Sequence, residues 1–163
     1  MSRPSSSFHS GLATLALILA CSGCNGDDSG GDSAAAPVWN DLGNAGYACL
    51  VPQGDTFFDW YDAGTPEPLP ADDPVDVVVV LADCHSGSVS GELASCSVSV
   101  EGDVVTVVSE GGYYVSGGPQ VSDCNVLSAT CSGPVLTEGS WMLTYGEAST
   151  AFEVPTVDSP CAP

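Results

Sequence analysis

Asp83, Cys84, His85 and Ser86 place an acid, a thiol, an imidazole and a hydroxyl on four consecutive residues. Imidazole is the side-chain type suited to proton exchange near neutrality, so one reading is a hydrolase centred on His85. A catalytic triad, however, needs acid, base and nucleophile to converge from different segments, whereas adjacent side chains on an extended backbone diverge. The plainer reading, a solvent-exposed histidine on a polar loop running from Cys84 to Ser95, is preferred. The chain also carries 21 carboxylates, but without a shaped pocket no pair of them can be singled out as a glycosidase acid and nucleophile.

A second candidate is Gly54 to Gly64, GDTFFDWYDAG, where Phe57, Phe58, Trp60 and Tyr61 alternate with Asp55, Asp59 and Asp62. Aromatic faces beside carboxylates suit a glycan-binding surface, with Trp60 and Tyr61 stacking on the sugar. In the plainer reading the rings pack inward and the acids face water, and that reading is again preferred. The same acids, or Asp72, Asp73 and Asp76, put enough oxygens into short loops for a structural calcium ion, which takes six to eight of them. Solvated surface acids are the ordinary alternative.

The cysteines carry a stronger signal. Cys49, Cys84, Cys96, Cys124, Cys131 and Cys161 are spread through the second two-thirds of the chain with no close C-x-x-C pair and His85 as the one imidazole near them. That spacing suits three disulfides in an exported protein better than a zinc site, and leaves the connectivity open. Each bridge contributes about 2–4 kcal/mol by restricting the unfolded chain.

Charge removes whole classes of partner. The chain has one Lys or Arg, Arg3, against 21 Asp and Glu, for a formal charge of −20. Nucleic-acid backbones and anionic lipid headgroups are both held by Lys and Arg, so neither is an expected partner. Basic proteins and cations are what such a field attracts, within about 8 Å at physiological salt.

Arg3 is followed by an apolar run, Leu12 to Ala20, well short of the roughly 20 residues that span a bilayer. It reads as a signal peptide over residues 1–20. Ile18, Leu19 and Ala20 before Cys21 form an aliphatic, free, small, cysteine pattern, and here the chain resembles bacterial lipoproteins through their lipobox. The resemblance implies that Cys21 receives a diacylglyceryl group, becomes the mature N-terminus and is N-acylated, with palmitate-type chains. Two or three chains give stable attachment where one gives only marginal binding. It also implies retention at the outer rather than the inner membrane, because Ser22 stands where an inner-membrane signal has Asp. Residues 21–36 then form a Gly/Ser/Asp-rich tether with a reach of about 20 Å. Cys24 lies in it, either free or paired between molecules.

Residues 37–163 make one domain. Val77 to Leu81, VVVVL, is short and β-branched and is expected to be buried on both faces. Cys96, Val98 and Val100 alternate with serines up to Gly102-Asp103, which fits a two-residue turn; that register pairs Val100 with Val105, Val98 with Val107 and Ser99 with Thr106. Trp141, Leu143 and Tyr145 alternate up to Gly146-Glu147, and Thr150, Phe152 and Val154 return on the same face. Tyr47 to Val51 and Leu127 to Val135 are further strands. Gly111 to Asp123 is expected as loop or edge strand, and the region from Trp39 to Tyr61 as the least regular part. Cys161 ties down the tail.

Six or seven short strands and no helical periodicity predict an all-β fold, a disulfide-stapled antiparallel β-sandwich. The closing segment, LTEGSWMLTY with FEVP, resembles the final strands of immunoglobulin-like modules, which implies an immunoglobulin-like sandwich. The function expected from these features is that of a membrane-anchored envelope lipoprotein with a non-catalytic structural or protein-interaction domain, for which a basic envelope protein is the expected partner. A glycan- or calcium-binding module is the alternative, and a hydrolase the third.

Overall fold

A computed structural model describes residues 35–55, 68–117 and 122–163. The described residues form nine strands and no helix: β1 (Val38–Asp41), β2 (Tyr47–Pro52), β3 (Pro74–His85), β4 (Ser90–Glu101), β5 (Val104–Val115), β6 (Asn125–Val135), β7 (Gly139–Tyr145), β8 (Ala148–Val154) and β9 (Cys161–Ala162). They make two sheets. One has the order β6-β3-β2-β9 and is antiparallel throughout. In the other, β4 lies along one edge of β5, while β1 and β7 share its opposite edge and β8 extends beyond β7.

The fold is all-β, as the alternation requires. Both hairpins have the expected register: Val100 faces Val105, Ser99 faces Thr106 and Val98 faces Val107, around Gly102 with φ 59°. Trp141 faces Phe152, and Leu143 faces Thr150. Side chains that share a face of a strand do not all share its burial. Val105 and Val107 are buried, whereas Val100, near the turn, is exposed.

One main core lies between the sheets. Ala48, Leu50, Val75, Val77, Val79 and Leu81 supply it from one side, and Val105, Val107, Trp141, Leu143, Tyr145 and Val154 from the other. Val78 and Val80 point to the opposite face of β3 and are buried there with Val51. The valine run is therefore enclosed on both faces, as its composition predicts.

Four expectations are corrected. The sheets are not wholly antiparallel, because β5 and β7 run parallel, Val105 beside Leu143 and Val107 beside Tyr145. After β5 the chain leaves for the other sheet as β6 and then returns, and two reversals restore its direction; only a tight hairpin forces antiparallel neighbours. The segment from Cys84 to Ser95 is mostly strand, the end of β3 and the start of β4, so the polar loop shrinks to a short turn. The part after Gly111 continues β5 to Val115, held between β1 and β4. The region from Trp39, expected to be irregular, opens with a strand, because β1 docks on that end of β5.

All six domain cysteines are paired. Cys49 joins Cys161 across directly paired β2 and β9, with Cα atoms 4.1 Å apart. Cys84 joins Cys124 beside the end of β3. Cys96 joins Cys131, which ties β4 of one sheet to β6 of the other.

Candidate functional site

The histidine that sequence reading put on an exposed loop is buried. His85 ends β3, where register shifts after Val80 and again after Ala82 break the even pairing with β6 and re-aim the side chains. Its ring lies 5.0 Å from that of Tyr113 on β5, stacked at 16°. Its Nε2 is 2.5 Å from Oε1 of Glu92. Glu92 comes from a second irregularity, between Ser90 and Leu93 on β4. Three strands thus converge on one imidazole, whose side chain is 2% exposed against 46% for Glu92. Nδ1 is enclosed and has no hydrogen-bond partner among the described residues.

The neighbours named in the sequence do not join this group as a triad. Ser86 Oγ shares a hydrogen bond with Ser88 Oγ at 2.7 Å. Asp123 accepts a hydrogen bond from the Gly87 amide at 2.8 Å, which fixes the turn after β3. Cys84 is committed to its disulfide. The His85–Glu92 pair acts as a polar clasp between β3 and β4, and its strength rests on a charge-assisted contact at the margin of the core.

A second polar group centres on two buried hydroxyls, those of Tyr145 on β7 and Ser109 on β5. Tyr145 donates its hydroxyl to the Ala45 carbonyl at 2.6 Å. With that proton committed, the Ser109 hydroxyl, 2.7 Å away, donates to the Tyr145 oxygen. Ser109 Oγ in turn accepts from the Asn44 amide, and the Ser109 amide donates to Asn44 Oδ1. Burial pushes the Tyr145 phenol above its ordinary value of 10.0, and the Ser109 hydrogen bond lowers it part of the way back. This network holds the β1–β2 connection against β5 and β7.

The outward face of the β4–β5–β7–β8 sheet is the more accessible surface. By register it presents Ser95, Ser97 and Ser99 from β4, Thr106, Val108, Glu110 and Tyr114 from β5, and Met142 and Thr144 from β7. A groove of about 200 Å³ lies on it, lined by Ser95, Cys96, Ser97, Val108 and Glu110. At the β1 end Trp39 meets Tyr114 edge to face, with ring centroids 5.0 Å apart. The two tyrosines of β5 thus divide, Tyr113 packing over the core beside His85 and Tyr114 turning to solvent. Trp39, Tyr114 and Glu92 were not singled out as site residues from sequence. The alternation of Tyr113 and Tyr114 was the available signal, and it needed the strand to continue past Gly111.

Cys21, Cys24, Trp60 and Tyr61, together with Asp59 and Asp62, lie outside the described residues. Of the acids considered for calcium, Asp76 accepts a hydrogen bond from the Gly54 amide at 2.9 Å and Asp72 takes a positive φ of 64°. Among the described residues no three His, Cys, Asp or Glu side chains gather as a metal site. Compared with known protein families, curated proteins and solved structures, the chain matches none.

Proposed function

We propose that this protein is an exported lipoprotein, attached through acylated Cys21 to the bacterial envelope and at the outer rather than the inner membrane, whose β domain is a non-catalytic binding or structural module. The observation that carries the reading is the pairing of all six domain cysteines into three disulfides, which suits an oxidising compartment outside the cytoplasm. The lipobox residues before Cys21 supply the anchor. Residues 22–36 supply the spacing from the bilayer, and the immunoglobulin-like character of β7 and β8 belongs to the same proposal. In a chain with one basic residue, near its start, fatty chains must do the mooring that Lys and Arg do elsewhere.

Intact mass of the protein extracted from the envelope in non-ionic detergent tests this. The expected mass is that of residues 21–163, less six hydrogens for three disulfides, plus a diacylglyceryl and one acyl group. Cys21→Ser should stop both processing and acylation. A mature protein recovered without acyl mass, with a free amino end and reduced cysteines, refutes the anchor. Turnover of an envelope polymer by the purified protein, lost in His85→Ala, refutes the non-catalytic part and restores the hydrolase.

A further inference from the structure

The outward face of the β4–β5–β7–β8 sheet carries an aromatic corner whose two rings rest on bare backbone. Trp39 and Tyr114 are direct register partners of β1 and β5, and they are 37% and 43% exposed. A Cβ built on Gly112 would approach Trp39 Cζ2 to 2.7 Å, and one on Gly91 would approach Tyr114 Cδ2 to 2.9 Å. Each ring is therefore seated where its neighbour has no side chain. Leu93, the register partner of Gly112, is 57% exposed beside them. Further along the same face of β5, Glu110 and Val108 line the groove with Ser95 and Ser97. An apolar ring platform thus leads into a strip of hydroxyls and one carboxylate.

We propose that this strip binds a neutral glycan, which deepens the binding-module reading above and rests on it. A sugar ring lays its C–H face on Trp39, with Tyr114 bracing the indole edge to face. Sugar hydroxyls donate to Glu110 and exchange hydrogen bonds with Ser95 and Ser97. Charge selects the class of glycan. With 21 acidic residues and one basic, the protein repels uronate, sulfate and phosphate polymers, and the strip itself holds Glu110 and no cation. A basic protein would be drawn to the acidic surface at large, and its attraction would fade with salt; it has no need of two rings seated on glycines. Stacking and neutral hydrogen bonds do not fade in that way. The proposal rests on other residues than Trp60 and Tyr61, the pair that the sequence offers for the same chemistry.

Affinity electrophoresis of the mature chain, extracted in non-ionic detergent, tests the proposal in native gels containing soluble mannan, mixed-linkage β-glucan or xyloglucan, with alginate as the anionic control. The expected result is retardation by at least one neutral polymer at physiological salt, and none by alginate. Trp39→Ala should weaken retardation about tenfold, and Trp39→Phe should keep most of it. Glu110→Gln, at an exposed position, serves as a second variant should Trp39→Ala fail to fold, and is expected to weaken retardation severalfold. No retardation in any of the three neutral polymers overturns the proposal. So does retardation untouched by a folded Trp39→Ala or by Glu110→Gln, or retardation by alginate to the same degree. Capture of cytochrome c that disappears with added salt, alongside no glycan retardation, replaces it with a basic protein partner. Absence of acyl mass at Cys21 refutes the anchor and leaves these gel results standing, so the two readings fail separately.

Discussion

Tyr145 and Ala45 are 100 residues apart in sequence and are joined by a 2.6 Å hydrogen bond from the phenol to the main-chain carbonyl. Because the phenol also accepts from Ser109, Tyr145→Phe strands a carbonyl and a hydroxyl inside the domain. The expected loss is about 1–3 kcal/mol at neutral pH, read from urea unfolding. The pH dependence follows from the raised phenol pKa. The native state keeps its proton more tightly than the unfolded chain, so the stabilisation is complete below pH 10 and declines as pH rises through the folded value. The wild-type curve should fall in that alkaline window more steeply than the Tyr145→Phe curve.

Glu92 partners a histidine that is almost sealed from water. Glu92→Ala leaves both ring nitrogens of His85 without a side-chain partner among the described residues, and is expected to cost about 1–3 kcal/mol. Adding His85→Phe should recover part of that loss, since a phenyl ring keeps the stack on Tyr113 and removes the stranded polar atoms. A double variant less stable than Glu92→Ala alone shows instead that the imidazole has another essential partner.

Leu143 and Met142 test the sheet register directly. Leu143 faces the core at 0% exposure, and Met142 faces out at 40%. Leu143→Ala should cost about 3–4 kcal/mol through lost burial and a residual cavity. Met142→Ala should stay within about 0.5 kcal/mol of wild type. Equal losses at both positions contradict the outward placement of Met142.

The disulfide between Cys49 and Cys161 closes the longest loop, with a separation of 112 residues, and holds a two-residue strand on the edge of its sheet. Replacing both cysteines with alanine should cost about 4 kcal/mol and release the chain after Pro160 to added carboxypeptidase. Replacing Cys96 and Cys131 should cost a similar amount, because that bridge ties β4 of one sheet to β6 of the other. Melting in the presence and absence of reductant compares the two variants with wild type.

Local rules account for what was legible in the order of residues. Alternation with period two marked β7 and β8 and the hairpin of β4 and β5, and Gly102-Asp103 and Gly146-Glu147 set their registers, because turn geometry acts over a few bonds. The valine run announced a doubly buried strand through its lack of any polar face. Six scattered cysteines announced oxidation, though not their partners, since pairing depends on which strands end up adjacent. Packing decided the remainder: the parallel β5–β7 pair, the burial of His85, and the meeting of Trp39 with Tyr114 on glycine backbone. Those relationships join segments far apart in the chain. Their closure entropy is repaid only when a whole core forms at once, so no short window of residues contains them.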